Sequence, residues 1–204
     1  MDAFIDKGHR MPAADEFTPP GSTDRGEQQL INEAKHGNHE AFRQLVERYM
    51  KQAYNVAYGF VNDHEQAEDI MQEAFVRVYQ SLGSFRGDAG FGTWLYRIVT
   101  NLSLNSVRHK KMKANYEMEA VDIGSIPAGP LHDGAEAEDV AMHIERALHE
   151  LPTLQRAVVI LRHLNGLSTR QVSNILRCSE GTVKTHLYRG LKKMKFKLEF
   201  LKEG

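Results

Sequence analysis

One cysteine, Cys178, stands in the 204-residue chain, so no internal disulfide forms and no zinc site is built from paired cysteines. Apolar runs are short. The longest, Ala157 to Leu161, falls far below the roughly 20 residues of a membrane span, and residues 1–26 hold no apolar core of a secretory signal. No membrane insertion is expected, and a cytoplasmic location is. No segment alternates apolar and polar residues with period two, which leaves no place for strands, and no internal repeat of fixed period is visible. The ten histidines form no clustered ligand set. His36 and His39, three apart without a third ligand, read as surface residues. No nucleophile stands in a motif with a base, so no catalytic residue, metal or cofactor is expected.

Charge of either sign is nearly balanced overall, at −1, but it is segregated. Residues 1–112 hold 13 basic and 15 acidic side chains, 113–150 hold 2 and 9, and 151–204 hold 11 and 3. The last third is therefore +8 and the middle −7. A cationic domain tied to an anionic segment suggests a polyanion partner for the first.

What the chain has in quantity is helical periodicity. Pro12, Pro19, Pro20, Gly21 and Ser22 mark 1–26 as a flexible tail. From Glu27, apolar residues recur at three- and four-residue steps. Phe42, Leu45, Val46, Tyr49, Ala53, Val56, Ala57 and Phe60 form one broad face. Asp63 is an N-cap with Gln66 three residues on, followed by the stripe Ile70, Met71, Ala74, Phe75, Val78 and Leu82. That helix is acidic and amide-rich outside, where Asp69 and Glu73, four apart, have no obvious internal partner. Gly124, Pro127, Gly129, Pro130 and Gly134 lie among acids in 113–137, the composition of an extended linker. Helices resume near Glu138, over Leu154–Leu164, Ser168–Leu176 and Glu180 to about Leu201. The expected fold is all-α, with a helical domain over 27–112, a flexible acidic linker over 113–137 and a second small helical domain over 138–204.

The second domain carries the most specific segment, LSTRQVSNILRCSEGTVKTHLYRGLKKMK. Ser168 caps a helix with Gln171 in capping-box position, Val172, Ile175 and Leu176 face inward, and Arg177 to Glu180 make a tight turn into a second helix. This is a helix-turn-helix. With Val183, Leu187, Leu191, Met194 and Leu198 as its core stripe, the second helix turns Thr182, Thr185, His186, Arg189 and Lys193 outward, with Lys184, Tyr188 and Lys192 in the neighbouring row. Hydrogen-bonding side chains in the first turns and cations alongside are what a major-groove recognition helix needs. Cys178 in the turn reads as a small packing residue rather than a redox switch.

The segment FGTWLYRIVTNLSLNSVRHKK, Phe91 to Lys111, begins as an amphipathic helix on Leu95, Ile98 and Leu102. Thr100, Asn101, Ser103, Asn105 and Ser106 then crowd together. Their side chains compete for the backbone, which predicts that 100–106 loosen into a loop exposing Asn101 and Asn105. An amide is both donor and acceptor and suits an unstacked base, while Arg97, Arg108, Lys110 and Lys111 can track phosphates. No acid lies between Ala89 and Tyr116. Trp94 fits a core role through its step to Ile98 and Leu102, with stacking on a base as the alternative.

AEDIMQEAFVRVYQSLGSFRGDAGFGTWLYRIVTN and LPTLQRAVVILRHLNGLSTRQVSNILRCSEGTVKTHLYRGLKK, in this order with a linker between, resemble the extracytoplasmic-function sigma factors of the sigma-70 family. The resemblance spans about 28–112 and 138–200. It implies a protein that binds core RNA polymerase, through the β′ clamp helices and β flap, directs it to promoters and opens the DNA. Asp69, Gln72, Glu73 and Phe75 match the motif placed against the clamp helices, with a core role open for Phe75. Asn101, with Ser103 and Asn105, matches the element that captures a flipped base of the minus-ten element on the melted non-template strand, flanked by Arg97, Arg108, Lys110 and Lys111. Lys184, Thr185, His186, Tyr188 and Arg189, with Thr182 and Lys193 beside them, match the helix that reads duplex promoter DNA at the minus-thirty-five element. His186 departs from the arginine of some relatives, so a preferred sequence does not carry over. An anti-sigma factor is implied as a further partner, and the acidic linker either follows the RNA path or is a tether. A conventional DNA-binding regulator explains 138–200 equally well but gives the acid-and-amide face and the Asn101 segment no purpose.

Overall fold

Residues 25–120 and 136–199 are described by a computed structural model, without the side chains of 111, 113–120, 136–139 and 141. Among them no strand occurs. The elements are α1 (Arg25–Lys35), α2 (His39–Val61), α3 (His64–Ser81), α4 (Phe91–Ala120), α5 (Glu136–His149), α6 (Thr153–Val158), a π-helical turn (Val159–Leu164), α7 (Thr169–Leu176) and α8 (Glu180–Lys197). Residues 1–24 of the expected tail and 121–135 of the expected linker lie outside the described residues, and α1 begins at Arg25, two residues inside the expected tail.

The caps follow the local chemistry. Asn38 accepts from the amides of Glu40 and Ala41 to start α2, Asp63 accepts from Gln66 to start α3, and Ser168 and Gln171 close a full capping box on α7. Each satisfies amides that have no partner within the helix. α2 is the centre of the first domain and packs on α1, α3 and α4. Leu45, Tyr49, Ala53, Val56, Ala57 and Phe60 of α2 meet Ile70, Ala74 and Val78 of α3 and Phe91, Leu95, Tyr96 and Val99 of α4, all buried. The buried Glu27 in the first turn of α1 accepts a 2.5 Å bond from the Tyr49 hydroxyl, with Arg48 at 3.8 Å. Burial and then this carboxylate hold the Tyr49 hydroxyl well above its usual value, so it stays a donor.

α4 departs from expectation. It is continuous from Phe91 to Ala120, so 100–106 form no loop and the helix runs eight residues into the segment expected as linker. Tertiary contact overrides propensity here. Thr100, Leu102 and Ser103 are buried, and the Ser103 hydroxyl donates to its own helix at Val99 O, 2.8 Å. Small polar residues on the packed side let the helix approach its neighbours, while the amides stand outside.

In the second domain α8 packs on α5, α6 and α7. Val183 and Met194 are buried as expected, whereas Leu187, Leu191 and Leu198 are only partly so. The closest approach belongs instead to Gly190, where an added Cβ would stand 2.8 Å from Val159 Cγ2. The segment expected as one helix over Leu154–Leu164 widens into a π turn at Val159. Asn165 ends it, its Nδ2 donating to Ile160 O at 2.8 Å.

The two domains touch. α7 packs on α4, and the π turn packs on α2. His149 of α5 is held below the ordinary histidine value by burial, then by Arg156 and by Lys110 of α4. Unfolding frees it to take a proton, so the stability tied to this group is present above about pH 6.5, its unfolded value, and is lost as pH falls through its lower folded value. Urea unfolding at about pH 7.5 and 5.5 is expected to give a lower midpoint at the acid end, with a smaller difference in His149→Gln. Identical pH dependence in the two chains would show that His149 contributes nothing.

Candidate nucleic-acid and polymerase interfaces

Three surfaces emerge from this packing. The first is the outer face of α3. Asp69, Gln72 and Glu73 are exposed there, held by the buried row Ile70, Ala74 and Val78. Phe75 lies in the core at 7% exposure, which is the core role left open for it. Glu73 does have an internal partner: Arg77 donates to it from Nε and Nη2 at 3.1 and 2.6 Å. Both ends are about half exposed, a pair worth a few tenths of a kcal/mol. Asp69 and Gln72 thus stand beside an acid that already has a partner within the helix.

The second surface is α4. Asn101 and Asn105 are exposed one helical turn apart, followed by exposed Arg108 and Lys110. Ser103 is wholly buried and its hydroxyl is committed to Val99, so it does not stand on the outer face with Asn101 and Asn105. Arg97 is turned toward the second domain and donates from Nη2 to Asn174 O at 2.9 Å. Lys111 lies on the same helix, its side chain outside the described residues. Trp94 is half-buried and stacks on Phe85, centroids 4.7 Å apart, in the core role expected of it.

The third surface is α8, started by Ser179, whose Oγ accepts from the Thr182 amide at 3.0 Å. Lys184, Thr185, Tyr188, Arg189 and Lys193 are exposed, Tyr188 to 68%. Thr185 donates its hydroxyl to Gly181 O at 2.9 Å, which leaves its lone pairs as acceptors. Thr182 and His186 are half-buried, and Nδ1 of His186 is buried without a hydrogen-bond partner. Two cations beside this helix escaped the sequence reading: Arg170 on α7 and Arg177 at its C-cap, both exposed. The signal was available, since the first helix of such a motif crosses the DNA backbone. Arg177 occupies the left-handed region at φ 52. Cys178 is partly buried, and burial raises its thiol above the usual value, which makes it a poor nucleophile. No group of three or more metal-ligating side chains occurs among the described residues, and no described helix is long and apolar enough to cross a membrane.

An acid-and-amide helix face, an amide-bearing helix with a cationic end and a basic helix-turn-helix define a DNA-binding protein of transcription that has further work to do in its first domain. Residues 45–112 match the model of sigma-70 region 2 and residues 141–194 that of sigma-70 region 4. The chain is 33% identical over 181 residues to the ECF RNA polymerase sigma factor SigW of Bacillus subtilis, covering 84% of this chain and 96% of that one. It is 33% identical over 175 residues to the RNA polymerase sigma-H factor of Pseudomonas aeruginosa, covering 82% and 91%. In fold it is similar to CnrH, solved with the cytosolic domain of CnrY, at TM-score 0.67 and 24% identity over 85% of this chain and 97% of that chain. The Bartonella quintana sigma factor RpoE, solved with the anti-sigma factor NepR, matches at TM-score 0.60 and 24% identity over 78% and 96%. The chain belongs to the extracytoplasmic-function sigma factors of the sigma-70 family. It directs core RNA polymerase to promoters and is a binding subunit, not an enzyme.

Proposed function

We propose a division of labour among the three surfaces, acting on cytoplasmic polymerase. Asp69, Gln72 and Glu73 of α3 hold the β′ clamp helices. Asn101 and Asn105 of α4, backed by Arg97, Arg108, Lys110 and Lys111, take the flipped non-template base and adjoining phosphates of the minus-ten element. Thr182, Lys184, Thr185, His186, Tyr188, Arg189 and Lys193 read the minus-thirty-five duplex. The observation that carries this reading is the exposure of both amides on one face of α4, on the same chain as an exposed basic recognition row on α8. Flipping a base costs a few kcal/mol, which hydrogen bonds and stacking to the flipped base offset. An anti-sigma factor completes the partner set, as in the Bartonella quintana neighbour.

The two DNA surfaces are expected to fail at different steps. Arg189→Ala weakens recruitment to duplex promoter by about 1–3 kcal/mol if the contact is bidentate to a base, and by less at a phosphate. Asn101→Ala leaves recruitment nearly unchanged and slows opening, because its amide gains a partner only after the base has left the stack. A promoter pre-melted across the minus-ten element rescues Asn101→Ala more than Arg189→Ala. Permanganate footprinting on both templates reads the difference, and equal recruitment defects would refute the division.

A further inference from the structure

Given the minus-thirty-five role proposed for α8, we infer that His186 meets the duplex as a hydrogen-bond donor through Nε2 and selects guanine by its N7 acceptor. The place of the residue on the helix comes first. His186 stands three residues after Val183 and four before Gly190, both buried, so it lies at the edge of the packed face. The ring straddles that edge. Nδ1 is buried without a hydrogen-bond partner while the residue as a whole is only half-buried, which leaves Nε2 as the ring nitrogen that can meet a ligand.

The position of the proton follows. An imidazole carries it on Nε2, on Nδ1 or on both. A proton on Nδ1 alone would put a buried N–H where nothing accepts it and leave the exposed nitrogen bare, and buried groups without partners are rare because the lost bond to water is not replaced. The tautomer with a bare Nδ1 carries its proton on Nε2. The doubly protonated ring has one there too, so the outward nitrogen donates in both, and only the disfavoured Nδ1–H tautomer would make it an acceptor.

The adjoining hydroxyls do not supply the same group. Thr185 is exposed, but its proton is committed to Gly181 O at 2.9 Å, so toward a base it only accepts. Thr182, one turn before His186, shares its hydroxyl with Ser179 Oγ at 2.9 Å in the cap of α8. Lys184 and Arg189 do donate, from long exposed chains. A ring held by packing along one edge loses less freedom on contact than such chains do. In the major groove guanine presents two acceptors, N7 and O6, thymine presents O4, adenine presents N7 beside an amino group, and cytosine presents only a donor. A lone donor therefore favours guanine and is rejected by cytosine.

The test uses holoenzyme assembled from the full chain and core RNA polymerase, selecting from duplex promoters randomised across the minus-thirty-five element. One position is expected to favour guanine, and His186→Ala to weaken that preference by about three- to tenfold while the other positions keep theirs. A 7-deazaguanine at that position lacks N7 and is expected to lower wild-type affinity by a similar factor and to leave the affinity of His186→Ala unchanged. Two-bond proton–nitrogen NMR spectra of the free wild-type chain are expected to show the His186 proton on Nε2. The absence of any position that depends on His186, a dependent position indifferent to 7-deazaguanine, or an Nδ1–H tautomer overturns the proposal. Scanning 7-deazaguanine through the guanines of the element needs only wild type, so a misfolded His186→Ala does not spoil the test: indifference at every guanine overturns the proposal as well. Preferences retained at the other positions leave the role of α8 standing, whereas a holoenzyme with no preference at any position means that the assignment of α8 itself is at fault.

Discussion

Asp69→Lys combined with Glu73→Lys is expected to abolish capture by core RNA polymerase while leaving helix content unchanged. Both side chains are exposed on α3, and the residues that hold this helix in place, Ile70, Ala74 and Val78, face the other way and are buried. The change replaces two negative charges with two positive ones on a surface proposed to meet a partner. Like-charge juxtaposition across an interface costs several kcal/mol, so a loss of at least about a hundredfold in affinity follows. Within the chain the effect is small, because the exposed Glu73–Arg77 pair that is lost is worth only a few tenths of a kcal/mol. Arg77→Ala is the matching control, since it removes that pair and keeps the acid. Pull-down and circular dichroism on one sample decide the matter, and retention of the double variant on polymerase would move the contact to another face.

Gly190→Leu is expected to destabilise the helix-turn-helix domain by about 3 kcal/mol, the upper range for an overpacked core. Two effects oppose each other at this position. Any residue other than glycine in the interior of α8 gains up to about 1 kcal/mol in helix propensity. Against this, a Cβ alone would stand 2.8 Å from Val159 Cγ2, with Gln155 O and Cβ at 3.6 and 3.7 Å. Val159 is fully buried and a valine methyl is one bond from its Cβ, so it has nowhere to swing. The steric term wins, and further atoms worsen it. Val159→Ala makes room, so Gly190→Ala is expected to be less harmful in that background, with a coupling of about 1 kcal/mol or more. Urea unfolding of the four chains in this cycle measures it, and additive effects would mean that α8 shifts to accept the side chain.

The position of Gly190 explains what the sequence could not convey. Its face on α8 was legible, because Val183, Leu187 and Met194 set the stripe to which it belongs. That Val159 of the π turn, with Gln155 of α6 behind it, comes so close there is a property of the partner segment, and no pattern within α8 records it. The same holds for α4. Thr100 to Ser106 carry weak helix formers, and local chemistry pointed to a loop. Which of them were packed and which were outside depended on neighbours far along the chain. Ser103 and Thr100 were drawn into the core and Asn101 and Asn105 left out, so the candidate amides survived while the predicted loop did not. The caps at Asp63 and Ser168, by contrast, are local devices and were fully legible. The outward row of α8 was legible in part from helical periodicity: Lys184, Thr185, Tyr188, Arg189 and Lys193 are exposed, whereas Thr182 and His186, expected beside them, are half-buried. Glu27 shows the opposite limit: an acid at the edge of a Pro- and Gly-rich tail carries no sign that Tyr49, 22 positions on, will bury it.

Gly59 of α2 bears on how such a protein changes over generations. A Cβ there would stand 3.1 and 3.3 Å from Ile160 Cγ2 and Cγ1 of the second domain, and position 59 lies on none of the surfaces assigned to DNA or polymerase. Substitutions graded by size there would alter how the two domains fit together and leave unchanged the residues that choose a promoter. The fit between domains and the choice of target would then be separate traits, adjustable by independent mutations.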